Sequence, residues 1–136
     1  MLPIVSWCAA QICKTIIDLI MNGKLNAERL FGAGGMPSAH SALVCSLFIG
    51  SARKYGLDDP IFALSFVLAM IVMYDAMGVR LETGKQAKVL NRILDDLKEE
   101  GQTAHRPLKE MVGHTPLQVV SGALLGILIA LLIPVF

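Results

Sequence analysis

Gly34-Gly35-Met36-Pro37-Ser38-Ala39-His40-Ser41 runs without a break into the apolar stretch Ala42 to Gly50, and the reading of that junction decides the fold. Pro37 fixes its own φ and suits the first turn of a helix, so the pattern predicts a helix opening here with Ser38 and His40 at its N-terminus. The unpaired backbone N–H groups of a helix start and the positive end of its dipole favour an anion, and a hydroxyl and an imidazole add side-chain donors. A phosphate is the natural guest of such a cradle. A Gly/Pro/Ser cluster taken alone is equally a turn followed by a helix cap, so the flanking sequence has to decide.

Those flanks are too apolar for an ordinary soluble domain. The chain has 136 residues, 54% hydrophobic and 17% charged, with a mean hydropathy of +0.61, which is the length of one domain (1–136) and the composition of an integral membrane protein. A net charge of +1 and a few scattered aromatics exclude a nucleic-acid binder. Cys8, Cys13 and Cys45 are odd in number, lie in apolar stretches and lack metal-ligand spacing; they read as reduced thiols buried in helices. No metal or other cofactor is called for.

Leu2 to Met21 is long enough to cross a hydrocarbon core of about 30 Å. It has no basic leader and carries Gln11, Lys14 and Asp18 in its interior, so it is expected to be a retained span rather than a cleaved signal. These three share one helical face, where Lys14 either pairs with Asp18 or serves a functional anion. An ionisable residue within a span costs at least about 2.5–3.5 kcal/mol, which makes Lys14 a site candidate. The second span is expected over Ser38 to Tyr55, the third over Ile61 to Met77 and the last over Leu117 to Phe136.

Between the third and last spans, Val79, Thr83, Ala87, Leu90, Leu94 and Leu97 recur at three- and four-residue steps among lysines, arginines and acids. That is an amphipathic helix too charged to cross. The expected fold is therefore all-α, a small polytopic membrane helix bundle of about four spans plus one amphipathic surface helix. Gly122 and Gly126 form a G-x-x-x-G pair, a face on which a homo-oligomer can pack.

Four spans put the connections after the first and third on one side, with Lys24, Arg29, Arg80, Lys85, Lys88, Arg92, Lys98, Arg106 and Lys109, against Arg53 and Lys54 on the other. The positive-inside rule makes the basic side cytoplasmic. Ser38 and His40, then Asp75 and Arg80, then His114 all reach that interface. Gly113-His114-Thr115-Pro116 repeats the logic of the cradle, a histidine beside a proline at the mouth of an apolar helix. Of two such histidines, one can attack phosphorus while the other protonates the leaving oxygen, with the roles reversed as water attacks. Cationic neighbours would hold the equatorial oxygens, and Arg80, whose fork grips two oxygens at once, is the best placed.

Pro37-Ser38-Ala39-His40 resembles the Pro-Ser-Gly-His motif of the type 2 phosphatidic acid phosphatase and vanadium haloperoxidase superfamily, and His114 resembles its downstream histidine. The closer resemblance is to that superfamily's divergent bacterial and plant membrane branch. It covers Ala10-Gln11 with Lys14, Gly34 through Ser41, Tyr74-Asp75-Ala76 with Gly78-Val79-Arg80, Gly84 with Gln86-Ala87, and Gly113 through Pro116. The resemblance implies His40 as general acid, Ser38 as a phosphate ligand and His114 as nucleophile.

Other parts of the pattern are incomplete. Lys24 and Arg29 match the first superfamily motif only in part, with Leu30 in place of its proline. Leu108 stands where an arginine is expected, with Lys109 one step along, and Gln118 stands where an aspartate should support the nucleophile. A neutral amide orients an imidazole but does not stabilise its cation as a carboxylate does, and loss of that charge in a Ser-His-Asp triad costs about 10⁴ in rate. Either Asp75 or Glu110 replaces it in space, or the activity is low or absent. The function read from this is a membrane phosphatase acting on a lipid phosphate or polyprenyl diphosphate. The alternative is a non-catalytic module that binds a phospholipid headgroup or serves in an assembly. A phosphotransferase lacks the further metal-binding aspartates such enzymes use, and nothing marks an enclosed oxidation site.

Overall fold

The structure is a computed structural model, and it describes residues 1–23, 35–99, 107–108 and 113–134. Every regular element among them is a helix: α1 (Leu2–Asn22), α2 (Ala39–Tyr55), α3 (Pro60–Met77), α4 (Val79–Glu99) and α5 (Pro116–Leu132). The helix ends follow local chemistry. Asp59 and Thr115 cap α3 and α5, each followed by a proline in the first turn, where a missing N–H costs nothing. Gly23 closes α1 in the left-handed region at φ 65°. The start of α2 differs from the expectation by one step. Ser38, not a residue before it, is the N-cap, with its hydroxyl accepting from Ser41 N–H, so Pro37 lies outside the helix.

Helix α2 is the centre of the bundle, packed against α1, α3 and α5. Its buried positions are mostly small: Ala39, Ser41, Ala42, Cys45, Ser46 and Ser51. The facing helices answer with Ser65, Ala69 and Ala76 on α3 and Gly122, Gly126 and Ala130 on α5. Large apolar side chains such as Ile16, Leu64, Ile71 and Leu128 point outward. Water would drive the opposite arrangement. In lipid, by contrast, large side chains are at home on the outside and helices associate through small residues that let backbones approach. Cys8 follows the same rule: expected to be buried, it is exposed on the outside of α1, whereas Cys45 is buried.

Among the described residues, two helical stretches are long and apolar enough to cross a membrane, Leu2–Met21 and Pro60–Asp96, the second running through α3 into α4 with Gly78 alone between them. The other two expected spans form as helices of 17 residues, α2 and α5, each about 25 Å long. The last one stops at Leu132, ahead of Pro134, rather than running on to Phe136. Helix α4 is amphipathic as expected, but the face it turns inward is Gly84, Ala87 and Asn91. Val79 and Leu90 of the expected stripe are exposed. Lys24, Arg29, Lys109 and Glu110 lie outside the described residues.

Gly122 and Gly126 are buried against α2 within the chain, where the sequence suggested a face for a second copy. A Cβ on Gly122 would lie 2.2 Å from the Ser38 carbonyl oxygen, and one on Gly126 2.2 Å from that of Ala42. Both neighbours are backbone and cannot yield. Gly126→Val is expected to cost at least about 1–3 kcal/mol, seen as a lowered thermal midpoint of the detergent-solubilised protein. Leu128→Val on the outward face should stay within about 0.5 kcal/mol of wild type. Equal midpoints for the two would refute the close α2–α5 contact.

Candidate functional site

Three segments meet at one end of the bundle. Ala76 near the end of α3 accepts a hydrogen bond from His114 N–H at 3.1 Å, and Gln118 in the first turn of α5 accepts one from Ser38 N–H at 3.0 Å. The first bond fastens the approach to α5 onto α3, and the second fastens the start of α2 onto α5. Gly113 makes the junction possible. It sits at φ 93°, and a Cβ there would lie 2.5 Å from Leu81 N and 2.6 Å from the Arg80 carbonyl carbon, so only glycine admits this approach. The result is a small cleft lined by His40, Val72, Asp75, Ala76, Arg80, Gly113 and His114.

His114 is buried and His40 exposed. The Nδ1 of His114 lies 3.2 Å from Gln118 Oε1, the same oxygen that accepts the Thr115 N–H at 3.1 Å. An atom receiving a backbone N–H is the amide's carbonyl oxygen, so Nδ1 must carry the proton and Nε2 keeps its lone pair. Gln118 thus has two tasks. It closes the capping box of α5 with Thr115 and fixes the tautomer of the histidine just ahead of the helix.

Burial does most to hold the His114 imidazole below its ordinary 6.5; the hydrogen bond it donates to Gln118 pulls the other way, and positive charge at His40, Lys14 and Arg80 adds to the lowering. Lys14, 5% exposed on α1, therefore lies within electrostatic reach of the cleft.

Asp75 does not reach His114 by a hydrogen bond. Its Oδ2 accepts from Arg80 Nε at 2.7 Å, which orients the guanidinium while leaving its terminal nitrogens for an anion. Both side chains are substantially exposed, so the pair steers more than it stabilises. The carboxylate expected beside the nucleophile is here given to the arginine.

Ser38 is completely buried and its hydroxyl accepts from Ser41 N–H at 3.4 Å and Ser41 O–H at 3.1 Å. It caps α2 and is absent from the cleft lining. The structure thus brings together His40, His114, Asp75, Arg80 and Gln118, with Lys14 nearby. Sequence reasoning missed the Ala76 carbonyl and the packing role of Gly113; a glycine beside a candidate nucleophile was the signal for the latter.

An all-helical membrane bundle with two histidines and an oriented arginine in one terminal cleft defines the class. Residues 1–129 match the Divergent PAP2 family, and the chain belongs to it. Among its relatives is a Bacillus subtilis (strain 168) protein described as "Uncharacterized membrane protein YuiD", 39% identical over 138 residues, covering 93% of this chain and 87% of the relative. No solved structure matches the chain.

Because burial lowers the His114 pKa, the folded protein resists taking up that proton. Above about pH 6.5 both folded and unfolded imidazoles are neutral and the group contributes no pH dependence. As pH falls from there towards the folded-state value, only the unfolded chain is protonated, so stability is lost in that window. An NMR titration of the full chain should place His114 below 6.5. Gln118→Leu, which removes the bond that favours the cation, should lower it further. A titration at or above 6.5 in the wild type would contradict the buried, Gln118-bonded imidazole.

Proposed function

We propose that this membrane protein is a phosphatase that hydrolyses a lipid phosphate or polyprenyl diphosphate through a phospho-histidine intermediate at the cytoplasmic interface. The observation that carries the reading is His114 Nδ1 tied to Gln118, which leaves Nε2 as a neutral nucleophile in a cleft shared with His40 and Arg80. Membership of a phosphatase-related membrane family supports it. In the first step Nε2 attacks phosphorus, the bond to the leaving oxygen breaks with its electron pair, and His40 gives that oxygen its proton. Water then attacks phosphorus, His40 takes a proton from it, the P–N bond breaks and phosphate leaves. Arg80, aimed by Asp75, meets the charge on the equatorial oxygens. Lys14 adds positive charge from α1, and Ser38 serves through the cap that holds α2.

Attack by Nε2 turns the imidazole into a cation, and its partner is a neutral amide. Turnover should therefore be slow, since the comparable loss of a carboxylate in a Ser-His-Asp triad costs about 10⁴. That same feature favours a second reading, non-catalytic binding of a phospholipid headgroup. Phosphate release from a panel of lipid phosphates and diphosphates by the purified protein separates the two, and none from any of them decides for the binding module.

His114→Ala should abolish an acid-labile phospho-enzyme, and persistence of that species would remove the nucleophile. His40→Ala should slow the first step most for poor leaving groups, because an activated aryl phosphate departs with little protonation. Gln118→Glu keeps a capping-box residue and gives His114 a carboxylate. Since Asp75 is held by Arg80, that change should raise turnover; a fall would mean that another acid already supplies the charge.

The side of action is tested by cysteine labelling in a cysteine-free background. Positions 85–96 should react only from the cytoplasm and those near Arg53 and Asp58 only from outside. The reverse pattern would place the site in the other leaflet.

A further inference from the structure

Gly50 has no packing reason to be a glycine. It lies inside α2, where glycine is less favourable than alanine, and a Cβ there would meet only the tip of the Leu2 side chain, Cδ2 at 3.4 Å. Gly122 and Gly126, by contrast, are pressed against backbone. What the missing side chain leaves at Gly50 is room. The residue stands on the wall of a cavity of about 450 Å³, with Leu2 and Val5 of α1, Leu47 and Lys54 of α2, and Ile133 just after α5. Fourteen residues of helix, about 21 Å, separate Lys54 from His40, so the cavity lies at the end of the bundle away from the cleft.

Its chemistry changes along α2. Deeper in, Ser46 and Ser51 belong to the wall, but each hydroxyl donates to its own helix, to the Leu43 and Leu47 carbonyl oxygens at 2.9 Å. Their protons are spent, and the rest of the inner lining is apolar. At the mouth stand Lys54 and Tyr55, both exposed, with the ammonium 5.7 Å from the centre of the tyrosine ring. A long cationic side chain and an amphipathic ring at a helix end are what a membrane–water interface selects. Arg53 is engaged elsewhere: its Nη1 donates to the carbonyl oxygens of Ala130 and Ile133, which caps the end of α5 and holds Ile133 in the wall. Lys54 is thus the cation that the cavity itself presents.

A cavity of this volume is in the range that takes a small ligand, and unfilled space of that size is costly in a packed bundle. An apolar floor below a cation suits an amphiphile, with hydrocarbon inward and an anionic head at the rim. A small soluble anion would find no polar floor, and a neutral hydrocarbon would leave the ammonium unmet. We propose that this cavity binds an anionic phospholipid, one acyl chain lying along Gly50 against α1 and the phosphate meeting Lys54. The site is separate from the cleft and stands whether or not the protein hydrolyses phosphate esters.

The test uses the full chain in dodecyl maltoside, titrated with dioleoyl phosphatidylglycerol or dioleoyl phosphatidylcholine, with bound lipid counted by native mass spectrometry. The wild type is expected to take its first phosphatidylglycerol more tightly than its first phosphatidylcholine. Gly50→Leu, which fills the cavity, should weaken that first event at least about tenfold. Lys54→Gln should weaken it about fivefold and abolish the preference for the anionic lipid. Circular dichroism checks that both variants fold. Should Gly50→Leu fail to, the wild type is photo-crosslinked with a phosphatidylglycerol carrying a diazirine in its acyl chain, and adducts are expected within residues 2–5, 47–50 and 133–134. Wild-type binding by folded Gly50→Leu, an intact preference in Lys54→Gln, or adducts spread over the outer faces of the helices or gathered at the cleft would each overturn the proposal.

Discussion

The contact of α5 with α2 is the constraint on which the rest depends. Two glycines one turn apart, Gly122 and Gly126, meet the backbone of Ser38 and Ala42 at distances where any side chain would collide. That approach sets the depth of α5 relative to α2, and with it the height of everything ahead of α5. The Ser38 N–H to Gln118 carbonyl bond follows from it. So does the position of His114, four residues before Gln118, at the level of His40 in the first turn of α2. In an apolar medium the hydrophobic effect gives helices no reason to associate, and close backbone packing is what remains.

A second consequence is a bundle with its polar groups inside. Ser6, Gln11, Lys14, Ser41, Ser46 and Ser65 are buried while isoleucines and leucines face out. Most of the serines answer their own helix, as Ser46 does to Leu43 and Ser65 to Phe62. Lys14 is the exception in kind, a buried cation whose field reaches His114. Its charge and that of Arg80 both act on His114, while Asp75 pairs with Arg80 beside them.

For the proposed nucleophile, the support departs from a charged triad at one atom pair. The oxygen beside His114 Nδ1 belongs to an amide, and the nearby carboxylate of Asp75 is turned to Arg80. The arrangement secures tautomer and orientation and leaves the imidazolium's charge unmet.

The sequence by itself determined the helices, their apolar character and the candidate site residues. Periodicity, Pro and Gly punctuation and cap residues are local signals, legible without neighbours. So were His40, His114 and Arg80, each lying near a helix end in its own segment. Tertiary structure decided which groups touch. Asp75 was legible as a carboxylate at the right depth, yet whether it served an imidazole or a guanidinium depended on the turn at Gly78 that brings Arg80 beside it. Ser38 was legible as a hydroxyl in the cradle, but cap geometry turned it inward to Ser41. Gly122 and Gly126 announced a packing face, and only the folded bundle assigned that face to α2. Asn91 gave no local signal for its hydrogen bonds to the Leu108 backbone, 17 positions away, because backbone groups have no sequence signature.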